Sequence, residues 1–115
     1  SEYAEEARLR MIYLRNRLAK HDLDVGVYYY ERDAYVSALG RAKFVLETYP
    51  QSDFEDDAVA LMAVSYKRLG QDALSQDAKR VLESNYPNHP YLTGNWPKER
   101  SMWRQLNPFA GDIKN

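Results

Sequence analysis

Apolar positions recur along the first thirty residues with an unbroken spacing of four and three. Ala4, Ala7, Met11, Leu14, Leu18, His21, Val25 and Tyr28 form one stripe, and between Tyr3 and Arg32 there is no Pro and a single Gly, Gly26. That pattern predicts one helix of about 30 residues, roughly 45 Å long at 1.5 Å per residue. Glu6 and Arg10 stand in the favourable i,i+4 order on its surface. Gly26 weakens the helix locally, so a bend is expected between His21 and Gly26.

Shorter periodic segments follow. Asp33 offers a cap for a second helix from Ala34 to about Thr48, where Ala34, Ala38, Ala42, Val45 and Tyr49 make a narrow stripe and Pro50 a stop. Ser52-Asp53-Phe54-Glu55 has the form of a capping box and opens a third helix to about Leu69, with Gly70 as its terminator. Asp72 is placed to cap a fourth helix to about Asn85, closed by Pro87 and Pro90. Pro97 suits the first turn of a short helix ending near Leu106, before Asn107-Pro108. The expected fold is all-α: antiparallel helical hairpins stacked as a solenoid, plus a short C-terminal helix. Its core is expected at Met11, Leu14, Leu18, Val25, Ala38, Ala42, Val45, Leu61, Met62, Tyr66, Val81 and Leu82.

Composition narrows the function. The 115 residues carry 16 Lys plus Arg against 17 Asp plus Glu, a near-neutral balance that argues against nucleic acid. No polybasic run favours an anionic membrane surface, and no stretch of 18 apolar residues favours a span. The absence of Cys removes disulfides, thiolate chemistry and Cys-rich zinc sites. His21 and His89 have no ligand partner at helical spacing, the five Gly form no phosphate-binding cluster, and no nucleophile elbow surrounds a Ser. Glu5-Glu6 and Asp56-Asp57 read as first-turn acids complementing helix dipoles. No catalytic residue, cofactor or metal is expected. The chain opens on helical pattern without a start Met, so a fragment of a longer protein is expected.

The segment Tyr30 to Glu47 aligns with Tyr66 to Glu83 at an offset of 36, and the copies reach Tyr49-Pro50 and Tyr86-Pro87. Small residues at a helix crossing, a terminal Pro and a period in the mid-thirties resemble the tetratricopeptide repeat (TPR). Counting back from Pro50 places Gly26, Tyr29 and Ala38 at that motif's Gly, Tyr and Ala, with Ala63 and Ser75 in the second copy. Helix pairs of this kind cannot bury their apolar faces alone; they stack and expose surfaces that bind proteins or peptides. Two units are expected: repeats over 1–86 and an aromatic-rich extension over 87–115.

A binding face can be read from the same periodicity. Ser37, Arg41, Phe44 and Thr48 fall on the side of the second helix opposite its narrow packing stripe. An outward Phe lacks a folding role, and aromatic plus Arg is the usual make-up of an interface hot spot. Tyr28-Tyr29-Tyr30 cannot all face inward, so two are expected to pack and one to remain for contact. Trp96, Trp103 and Phe109 divide between a cap on the last repeat and a partner surface; Trp96 and Trp103 are expected against the last helix pair.

The long helix carries a closer likeness. Arg10-Met-Ile-Tyr-Leu-Arg-Asn-Arg-Leu-Ala19 followed by Val27-Tyr-Tyr-Tyr-Glu-Arg-Asp-Ala-Tyr35 resembles the fourth-repeat helix of the BamD (ComL) family, lipoproteins of the bacterial outer-membrane β-barrel assembly machinery. The likeness covers Ser1 to about Tyr86, and Trp96-Pro97, Trp103 and Leu106-Asn-Pro-Phe109 resemble the extended C-terminus of some members. Asp33 departs from the family, where Gly usually follows the Glu-Arg pair. The resemblance implies a five-repeat scaffold at the periplasmic face of the outer membrane, of which this chain holds roughly the last two repeats, without the lipid-bearing Cys. It implies docking on a POTRA domain of BamA, with the Arg at position 41 in that contact, and support for BamC and BamE. The alternative reading is a generic TPR adaptor or co-chaperone domain.

Overall fold

A computed structural model of the chain describes residues 2–97. α1 runs without interruption over Glu2–Glu31, followed by α2 (Tyr35–Thr48), α3 (Glu55–Arg68), α4 (Asp72–Asn85) and a 3₁₀ turn at Pro90–Thr93. No strand occurs among the described residues. Each helix packs against its successor through a short turn, giving antiparallel hairpins in a TPR-like arrangement. The expected bend in α1 is absent. Gly26 serves close packing instead: a Cβ there would lie 2.7 Å from Leu61 Cδ2 and 3.2 Å from Arg41 Cβ. The missing side chain lets α1, α2 and α3 meet at one point.

α1 and α3 end alike. Beyond α3, Gly70 takes φ 78 and donates its N–H to Lys67, while Gln71 N–H bonds back to Tyr66 O. Beyond α1, Asp33 takes φ 65 and donates to Tyr30, while Ala34 N–H reaches Tyr29 O. Both are Schellman caps. Asp33 is therefore not the N-cap of α2; it fills the left-handed position that closes α1, which favours Gly. Nor does Asp72 cap α4: it is the first helical residue, and the capping residue Gln71 makes no side-chain bond. The Ser52–Glu55 box forms one residue out of register. Ser52 Oγ accepts from Phe54 N–H at 3.2 Å, and the Glu55 carboxylate accepts from Gln51 N–H at 2.8 Å.

The core is Ala19, Leu23, Val25 and Val27 of α1, Ala38, Ala42 and Val45 of α2, Ala58 to Val64 apart from Met62 in α3, and Ala78 and Leu82 of α4. Four expected core residues are exposed: Met11 (70%), Leu14 (47%), Leu18 (52%) and Val81 (43%). Met62 and Tyr66 are only partly buried. Leu18, with His21, is exposed because the packed side of α1 runs beside the expected stripe, through Ala19, Asp22, Leu23 and Gly26; for the first half of α1 the cause is length. Its partners have 14 residues each against its 30, so its first half has no described neighbour along most of its stripe. For Val81 the cause is register. The structural repeat is 37, Tyr35 against Asp72, and at that offset Leu82 takes the place of Val45.

Of the three consecutive tyrosines, Tyr29 and Tyr30 pack on the core, and Tyr28 lies under the Arg32 guanidinium at 4.2 Å.

Candidate partner-docking face

α2 presents Ser37, Phe44 and Thr48 to solvent, with Arg41 between them half-covered. Phe44 is 43% exposed and meets the Tyr49 ring edge-on at 6.0 Å between centroids. Ser37, Gly40, Arg41 and Phe44 line a shallow open concavity floored on the α1 side by Tyr29. Thr48 lies on the same face, outside that concavity.

Arg41 is not a free cation. Its stem lies over Gly26, with Cβ and Cγ within 3.4 Å of where a side chain would start. Its Nη1 donates to Asp22 Oδ1 at 2.8 Å. Asp22 is 8% exposed, so this carboxylate needs its partners. The Asp22 charge also acts on Tyr49, whose hydroxyl pKa is raised first by burial and then by that charge. Gly26 and Asp22 lie one turn apart on α1. Arg41 and Phe44 were legible in the sequence and Asp22 was not, because an acid beside the apolar stripe reads as a solvated residue.

A second polar cluster lies where the chain leaves α4. His89 is buried; its Nδ1 accepts from Tyr91 N–H at 3.1 Å, so the ring proton is on Nε2, which donates to Asp57 at 2.6 Å. Asp57 has its carboxyl held above its ordinary value by burial, against the lowering effect of that bond. Asp56 brings a third ligand-type atom close. Both imidazole nitrogens are already engaged, so the cluster works as a clasp between the 3₁₀ turn and the start of α3 and offers no imidazole lone pair to a cation. Asp57 is thus more than a dipole acid, and nothing in the sequence links it to a His 32 residues on. Trp96 completes the clasp, 5.8 Å from the His89 ring and packed on both core clusters. That puts Trp96 against the helix pairs as expected. Trp103, Phe109 and the short helix expected from Pro97 to Leu106 lie outside the described residues, save for Pro97 itself.

At the opposite end, Arg68 stacks over Tyr30 and Tyr35 and donates to the Tyr35 hydroxyl at 2.6 Å, which in turn donates to Asp33. This ties the closing turn of α1 to the end of α3.

The profile of the YfiO family, an outer membrane lipoprotein, matches residues 1–82. The chain belongs to this family. Among YfiO-family relatives, an outer membrane protein assembly factor BamD of Xylella fastidiosa (strain 9a5c) is 49% identical over 112 residues, covering 97% of this chain and 38% of the relative. BamD of Neisseria gonorrhoeae is 36% identical over 105 residues, 90% of this chain and 39% of the relative. BamD of Vibrio cholerae is 32% identical over 85 residues, 74% and 35% respectively. The chain thus spans under two-fifths of these relatives' length. No described helix is long and apolar enough to cross a membrane.

Proposed function

We propose that this chain is a C-terminal, non-catalytic scaffold part of an outer-membrane protein assembly factor, working at the periplasmic face of the outer membrane. In this reading it docks a POTRA domain of BamA through α2 and helps to hold the lipoproteins BamC and BamE. Residues 1–86 act as stacked repeats and 87–115 as an extension that folds back through Trp96 and adds contacts through Trp103. The observation that carries the reading is the α2 face: an aromatic ring and a pre-set guanidinium side by side on a helix whose other side is fully packed. Family membership and the names of the relatives support the assembly role. The exposed stripe Met11, Leu14 and Leu18 is read as the surface on which a further hairpin of the longer protein stacks.

The test is the affinity of the chain for the periplasmic region of BamA. Charge reversal at Arg41 is a poor probe, since it would set a second carboxylate beside the buried Asp22. Arg41→Gln and Phe44→Ala are cleaner, and each should weaken binding about tenfold, the effect of losing a hot-spot contact worth ~1.4 kcal/mol. Circular dichroism should show unchanged helix content. Affinities of both variants within twofold of the parent, at parental helix content, would place the contact elsewhere.

A further inference from the structure

The placement of Asp22 goes beyond what folding needs. A carboxylate taken out of water inside a helix stripe costs stability unless it is paired, and an apolar residue of similar size would pack there at lower cost. Asp22 nevertheless sits at the root of the α2 face, 8% exposed, one turn before the glycine over which the Arg41 stem lies. It accepts from Arg41 Nη1 at 2.8 Å, and after burial its charge is the next cause that raises the pKa of the Tyr49 hydroxyl. Tyr49 in turn backs the Phe44 ring. The three residues that line up behind the face therefore all act on the two side chains that form it.

We propose that Asp22 is a positioning residue: it fixes the direction in which Arg41 offers its remaining N–H groups, so that the face reads one carboxylate or carbonyl oxygen of the partner. The proposal rests on the reading of α2 as the docking face. A guanidinium has five N–H donors in a rigid fork, and holding one Nη on Asp22 orients the others. The ordering cost of a long side chain then falls on folding and not on association, which is how pre-organisation raises affinity. Asp22 also nearly cancels the Arg41 charge, so the pair presents a directed donor edge with little net field. A partner group is therefore selected by its position at that edge, and a broadly acidic patch would meet the repulsion of Asp22 as well as the attraction of Arg41.

A double-mutant cycle against the periplasmic region of BamA tests this, using the 115-residue chain. Arg41→Gln should lose about tenfold in affinity and Asp22→Ala about fivefold, whereas Asp22→Ala added to Arg41→Gln should cost less than about twofold more, because the two act as one unit. Asp22→Asn keeps an acceptor oxygen for Arg41 and should hold affinity within about threefold of the parent. It also uncovers the Arg41 charge, so its association rate should become more sensitive to salt, which a merely structural role for Asp22 would not produce. If Asp22→Ala loses its helix content, Tyr49→Phe takes its place: it removes the hydroxyl that the Asp22 charge acts on and should weaken binding only while Arg41 is present. Parental affinity in folded Asp22→Ala, or losses that multiply in the double variant, overturn the positioning role alone. No effect of Arg41→Gln overturns the docking face and this inference together.

Discussion

At the scale of single residues, Gly26 shows how the chain uses a small residue for approach and not for bending. The sequence placed it at a TPR glycine and also suggested a weakened helix; the packing decides for the first. Helix propensity favours Gly26→Ala by up to about 1 kcal/mol. The new methyl would have to displace Leu61 and press on Arg41, and overpacking of that kind costs about 1–3 kcal/mol. Urea denaturation should therefore show Gly26→Ala to be the less stable protein, and a gain in stability would mean that the crossing has slack. Asp57 gives a residue-scale test by pH. Its carboxyl is raised above its ordinary 3.8, burial being the main cause. A raised folded value contributes stability that is full below 3.8 and lost as pH rises through the folded value. Asp57→Asn has no such dependence at this position. The stability of the parent minus that of the variant should thus fall as pH climbs from about 4 through that window; a difference that is flat or rises would mean that the His89 bond outweighs burial.

At the scale of elements, all four helices and their ends were legible in the periodicity, and the stops at Pro50, Gly70 and Pro87 stand where the sequence puts them. Faces were less legible than extents. The 4/3 stripe on α1 marks the helix, but the packed side runs beside it through Ala19, Asp22, Leu23 and Gly26, and periodicity does not record whether anything lies against the first half. Val25 is buried, whereas Met11 and Leu18 stay 70% and 52% exposed. In α4 the identities at offset 36 set Val81 over Val45, while the structural offset is 37, already so in the caps that close α1 and α3, and it brings Leu82 inward. Caps were misassigned for a related reason: Asp33 and Asp72 are good capping types, but each lies one step from the position that would use it. The consequence is a contrast between two leucines. Leu61→Ala, fully buried at the three-helix crossing, should cost about 2–5 kcal/mol in thermal or urea unfolding. Leu18→Ala, half exposed, should cost under about 1 kcal/mol in this chain, since little area leaves water there. Equal losses would show that something covers α1.

At the scale of the whole molecule, the arrangement is a short stack with two kinds of surface. One is the apolar group Met11, Leu14 and Leu18 on α1, exposed among the described residues. The other is the α2 face, where polar positions are held from behind by Asp22 and Tyr49 and where an aromatic ring remains in solvent. The sequence revealed the second face through the stripe Ser37, Arg41, Phe44 and Thr48, because outward Phe beside Arg breaks the usual pattern of a solvated helix side. It could not reveal the clasp of His89 on Asp57, whose partners are far apart in sequence and are joined only by the turn after α4. The proposed docking of BamA on this α2 face is tested by site-specific photocrosslinking in cells making the full-length protein. A photoreactive residue at Ser37 or Thr48, both exposed on α2, should capture BamA, and one at Gln76 or Arg80, exposed on α4, should not. BamA captured from α4 and not from α2 would contradict the account.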